Sequence, residues 1–166
     1  MPPYQKARVN LGLVYLSRRR LDEAEEEFRT ALASNQPTQV SRAEVLNNLG
    51  IVLALKRRGR EAEQAFAEAV RLAPDYADAR ANLGKAYLEN GMSKESITQL
   101  VEAVRLKASD ARVHYMLGQA YYEQGQKEFA ALTLAKALSL NADFPEARQL
   151  LDKIIREKGN GRGRRG

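Results

Sequence analysis

The chain has 166 residues with no cysteine, no tryptophan and one histidine, and its 27 Lys and Arg exceed its 21 Asp and Glu for a net charge of +6. Without cysteine there is no disulfide, thiolate nucleophile or zinc–thiolate site, and a lone imidazole, His114, cannot build a two-histidine metal motif. A chain 44% hydrophobic and 29% charged has the composition of a soluble globular protein, and no stretch approaches the roughly 18 apolar residues that cross a bilayer. The opening MPPYQKARVN contains no apolar export segment.

Taken in chain order, one pattern recurs. Asn10-Leu11-Gly12, Asn48-Leu49-Gly50, Asn82-Leu83-Gly84 and Met116-Leu117-Gly118 stand 38, 34 and 34 residues apart. Three residues after each glycine comes Tyr15, Leu53, Tyr87 or Tyr121. Twelve after comes Ala24, Ala62, Ser96 or Ala130; sixteen after, Phe28, Phe66, Leu100 or Leu134; nineteen after, Ala31, Ala69, Ala103 or Ala137. The apolar positions fall at helical spacing, so each copy predicts a pair of helices. A glycine inside a helix costs about 1 kcal/mol relative to alanine, so its recurrence predicts a close approach of the paired helix. Ser41, Asp75, Ser109 and Asp143 are of helix-capping type and predict helix starts. Gly91 and Gly125 predict the turns inside the last two copies.

Leu-Gly-x-x-Tyr…Ala-x-x-x-Phe-x-x-Ala…Pro resembles the tetratricopeptide repeat (TPR) family. The copy at 43–76, ending near Pro74, fits best; the others hold Gln36, Ala108 and Ala142 in place of that proline, and all lack the family's early tryptophan. The copies run 5–38, 43–76, 77–110 and 111–144, with a four-residue insertion at 39–42. Residues 145–158 begin like a further repeat, but Asp152 in the glycine column suits a solvating cap, and 159–166, GNGRGRRG, read as a disordered basic tail. The resemblance implies an all-α, right-handed α-solenoid of four helix-turn-helix repeats plus a capping helix, in a single domain over 1–158.

It also implies a concave groove lined by the first helices, where asparagine side chains hydrogen-bond the main chain of a bound peptide. The matching positions are Asn10, Asn48 and Asn82, with Met116 breaking the ladder in the fourth copy. The same column can equally hold asparagine for packing alone. Leu13, Ile51, Leu55, Tyr115 and Tyr122 are expected to supply apolar contacts beside Lys85 and Arg112, with Val9, Leu88, Lys6, Glu44 and Asp78 nearby. The Lys, Arg and Asn set with which chaperone-binding relatives hold a C-terminal carboxylate is not met, since Val9, Leu13 and Asp78 stand in its places.

Charge offers a second reading. Arg18-Arg19-Arg20 and Lys56-Arg57-Arg58, with Arg60, occupy the turns of the first two copies and predict a basic ridge. It would draw acidic protein, anionic membrane or nucleic acid, or serve solubility; the absence of interleaved aromatics argues against nucleic acid. Self-association through the outer face of the first copy is a third reading. Neither His114 nor the run Glu23, Glu25, Glu26, Glu27 makes a catalytic constellation; the run reads as a solvated face with Glu25–Arg29 pairing. No cofactor, metal or enzyme activity is expected. The expected location is cytoplasmic, or envelope-associated if the chain is part of a larger lipoprotein.

Overall fold

The computed structural model describes residues 3–33 and 39–162. Among them lie nine helices and no strand: α1 (Pro3–Ser17), α2 (Leu21–Ala33), α3 (Gln39–Leu55), α4 (Gly59–Leu72), α5 (Ala77–Glu89), α6 (Ser93–Leu106), α7 (Ala111–Glu123), α8 (Lys127–Leu140) and α9 (Pro145–Arg162). The four copies are the hairpins α1/α2, α3/α4, α5/α6 and α7/α8, so the chain is an all-α helical-repeat protein of the solenoid class. It gathers into two compact units, Met1–Ala86 and Tyr87–Gly166, each with its own core.

The N-terminal unit shows why the glycines recur. A Cβ on Gly12 would stand 2.7 Å from Phe28 Cε1, and one on Gly50 would stand 2.6 Å from Phe66 Cε1. The glycine and aromatic columns are thus two halves of one contact, in which a ring lies against bare backbone of its paired helix. Burying each ring is worth about 2–3 kcal/mol, which exceeds the glycine's cost of about 1 kcal/mol. Ala43, Leu46, Ala69, Ala73 and Ala79 then close a core of α3, α4 and α5. In the C-terminal unit Gly118 meets Leu134 in the same way, at 2.7 Å. There Ala130, Leu134, Ala137, Ala147 and Ile154 join α8 to α9, and Asp152 on α9 faces solvent.

The insertion at 39–42 is absorbed as helix: α3 has 17 residues where α5 and α7 have 13, one extra turn at its start. The proposed caps are corrected. α5, α7 and α9 begin two residues after Asp75, Ser109 and Asp143, and the residue that caps α7 is Asp110, whose carboxylate accepts from the Arg112 N–H at 3.0 Å. Asp75 and Ser109 lie in turns, which favour the same residue types as caps. Ser41 falls inside α3. The capping helix also runs further than expected, past Gly159 and Gly161 to Arg162; the remainder of the expected tail, 163–166, lies outside the described residues.

The turns inside the hairpins share a left-handed residue. Gly91 and Gly125 have φ +74° and +73°, and at the same register Arg19 and Arg57 have φ +59° and +62°. No helix among the described residues is long and apolar enough to cross a membrane.

Candidate functional site

In the N-terminal unit, α1, α3 and α5 present the residues expected to meet a partner. Asn10 is exposed and Asn48 half-buried, and neither amide has a hydrogen-bond partner among the described residues. Asn82 differs: its Nδ2 donates at 2.8 Å to Oδ1 of Asn47, and the Nδ2 of Asn47 in turn donates at 3.4 Å to the Tyr76 hydroxyl. Asn47 is only 4% exposed, so this is a buried polar chain tying α5 to α3. Burial chiefly, with Asp78 and Glu44 adding repulsion, pushes the Tyr76 hydroxyl above its usual pKa and keeps it neutral. Asn47 was not visible in the sequence, because its column holds Val9, Ala81 and Tyr115 in the other copies.

Around the asparagines, Leu13 and Leu55 are exposed, Ile51 and Val9 are half-buried and Lys85 is exposed. In the C-terminal unit Arg112 is exposed and bonded to Asp110 at 3.0 Å, and Met116 is half-buried. Tyr115 rests on Phe144 with ring centroids 4.9 Å apart. Tyr122 donates to Glu157 at 2.8 Å and carries the Lys153 ammonium 4.9 Å from its ring centre. Both tyrosines are therefore held by residues flanking or within α9.

The basic turns divide into two groups. Arg20 pairs with Glu23 and lies over the Tyr15 ring. Lys56 reaches Asp22 and Glu25, each at 2.6 Å, and Arg58 reaches Glu25 at 2.8 Å and Glu61 at 2.6 Å. Arg18, Arg19, Arg57 and Arg60 are exposed and have no ion pair among the described residues. Four of the seven expected cations are thus free, and three are neutralised at home.

The reading of the Glu run as a solvated face is corrected at Glu25, which is buried at 8% exposure. The turn of copy two lies over it, bringing Lys56 and Arg58 from the turn between α3 and α4 to join Arg29 of α2. Burial opposes ionisation of Glu25, but hydrogen bonds from Lys56, Arg29 and Arg58 outweigh it and hold the carboxyl at about 2. The same contacts raise the pKa of Lys56, with Asp22 the larger influence and Glu25 next. His114 is buried, with Nε2 2.9 Å from the Ala108 carbonyl oxygen. That oxygen can only accept, so Nε2 carries the proton and the ring is a packing element. No group of three or more His, Asp and Glu among the described residues is placed to hold a metal.

These hairpins, their glycine–ring contacts and their register define a helical-repeat array. Tetratricopeptide repeat models match residues 5–75, 53–119 and 111–144. The chain belongs to the tetratricopeptide repeat family. Its fold is also that of solved structures. MamA (residue 41 to the end) from Desulfovibrio magneticus RS-1 is 24% identical, with a TM-score of 0.86 over 98% of this chain and 90% of that one. YrrB, described as a TPR protein with an unusual peptide-binding site, is 24% identical, with a TM-score of 0.75 over 87% and 73%. The first TPR of Spaghetti (RPAP3), bound to the HSP90 peptide SRMEEVD, is 21% identical, with a TM-score of 0.70 over 72% and 95%. No curated protein sequence matches the chain significantly.

Proposed function

We propose that this chain is a non-enzymatic protein-interaction scaffold that holds an extended or helical segment of a partner protein along α1, α3 and α5. The observation that carries the reading is the state of three asparagines at one register of successive copies. Among the described residues Asn10 and Asn48 have no hydrogen-bond partner for their amides, and Asn82 commits a single N–H to Asn47. A side-chain amide offers both donor and acceptor to a peptide unit, and main-chain hydrogen bonds supply affinity for extended segments. Leu13, Ile51 and Leu55 provide apolar contact beside them. In the C-terminal unit Met116 stands where the other copies have the amide. The peptide ligands named for YrrB and RPAP3 support a peptide as the class of partner. An acidic chaperone tail is not the proposed ligand, because Val9, Leu13 and Asp78 stand where its carboxylate-binding residues would be. Pulldown from the native host with wild type and Asn48→Ala/Asn82→Ala tests the reading: partner recovery drops in the variant, and unchanged recovery counts against it.

A second reading rests on Arg18, Arg19, Arg57 and Arg60, which are exposed, have no ion pair among the described residues and offer cations to an anionic partner from the turns of the first two copies. It requires retention on a polyanion column that falls steeply with salt and disappears when those four are changed to Gln.

A further inference from the structure

The second helices of the first three copies turn polar residues outward in two columns. One column holds Glu23, Glu61 and Glu95, and the other Glu26, Gln64 and Thr98. At those positions α8 carries Phe129 and Leu132, which are 60% and 76% exposed. Leu132 is the most exposed large apolar side chain among the described residues. Phe129 is propped by Tyr121, with ring centroids 5.5 Å apart. Along the same face Glu128 precedes Leu132 by one turn, and Ala135 and Lys136 follow it by one turn; all are exposed. Glu128 bridges Lys158 at 2.6 Å, but 77% of its side chain remains in solvent and such a pair is weak.

We propose that this strip is a seam for a second copy of the chain, with the two α8 helices antiparallel. A two-fold axis at Leu132 sets Leu132 on Leu132 and each Phe129 over the small Ala135 of the other copy. The same axis brings Glu128 against Lys136 at both ends, so the patch is complementary to itself in charge as well as in shape. Charge also decides against the other exposed apolar strip, Leu11 and Val14 on α1. That helix contains no acidic residue and its Arg8 is already held by Glu27 at 2.8 Å, so two copies of it would offer Lys6 no opposite charge to meet. One helix-on-helix seam falls below the roughly 1,200 Å² of standard interfaces, so the dimer is weak and reversible, half-formed on the order of 100 µM. The seam lies within the C-terminal unit and does not depend on the partner-binding reading.

Sedimentation equilibrium of the full chain from about 5 µM to about 500 µM spans that range. Wild type passes from monomer to dimer mass. Phe129→Glu/Leu132→Thr, which installs the residues that copy three carries, stays monomeric with an unchanged helical circular dichroism spectrum. Glu128→Lys weakens the dimer at least tenfold, and Glu128→Lys/Lys136→Glu restores it to within about threefold. The proposal is overturned by a wild type that stays monomeric throughout, or by a Phe129→Glu/Leu132→Thr variant that still dimerises, which would place association on another face such as α1. A charge-reversed pair that associates no better than Glu128→Lys alone also overturns it.

Discussion

A Cβ placed on Gly50 would stand 2.6 Å from Cε1 of Phe66, closer than two carbons can approach. Gly50→Ala therefore forces a buried ring to move, at about 1–3 kcal/mol, against a helix-propensity gain of about 1 kcal/mol. The net expectation is a loss of up to about 2 kcal/mol in urea unfolding. Gly59→Ala is the control: a Cβ there meets nothing within 4 Å, so it should be neutral or stabilise by up to about 1 kcal/mol. Equal effects from the two would remove the packing explanation for the repeated glycine.

Arg57 holds a left-handed backbone where copies three and four use glycine. A non-glycine residue there costs about 1–2 kcal/mol, and glycine returns part of that gain through the entropy of the unfolded chain. Because the Arg57 side chain is exposed and has no ion pair among the described residues, Arg57→Gly is expected to stabilise by about 0.5–1 kcal/mol. Gly125→Ala at the matching register should destabilise by a similar amount, and a thermal scan of both variants reads the two signs.

Glu25 links copies one and two through Lys56 and Arg58. Its carboxyl sits at about 2 when folded, against an ordinary value of 4.5. Since the folded value is the lower one, the stabilisation is complete above pH 4.5 or so and is lost as pH falls through about 2. The expected contribution is of order 3 kcal/mol. Glu25→Gln should therefore cost about 2–3 kcal/mol at pH 7 in chemical denaturation, with the gap to wild type narrowing steadily between pH 4.5 and pH 2. A gap that is constant with pH would show that the carboxylate's charge is not what matters.

Asn47 and Asn48 are neighbours in sequence with opposite expected roles. Asn47→Ala strips partners from the Asn82 amide and the Tyr76 hydroxyl, at about 1–2 kcal/mol. Combining it with Asn82→Ala should cost less than the sum, by about 1 kcal/mol of coupling. Asn48→Ala removes no side-chain hydrogen bond among the described residues and should leave stability within about 0.5 kcal/mol while weakening partner capture. Denaturation midpoints of the three single variants and the double separate these roles.

What was legible in the sequence follows from how often a contact repeats. Gly12 with Phe28, Gly50 with Phe66 and Gly118 with Leu134 are one contact made three times, so its columns stand out in a single chain and give the fold. Asn47 is used once, in a column otherwise filled by Val9, Ala81 and Tyr115, and nothing in the pattern marks it. Glu25 sits in an acidic run that reads as solvent-facing; only the turn of the next copy, laid over it, makes it a buried partner for Lys56 and Arg58. The shift from Ser109 to Asp110 as the cap of α7 has a similar cause, because serine and aspartate suit both a turn and a helix start. Local chemistry alone does not choose between adjacent positions.

The most direct test of the binding face is photo-crosslinking in the native host, with a benzophenone amino acid placed singly at Leu13, Leu55 or, as an outward control, Gln64. The expected result is a covalent adduct to the same partner from Leu13 and Leu55, absent from Gln64 and lost when Asn48 and Asn82 are both changed to alanine. Adducts of equal yield from all three positions, or adducts that survive the double change, would contradict it.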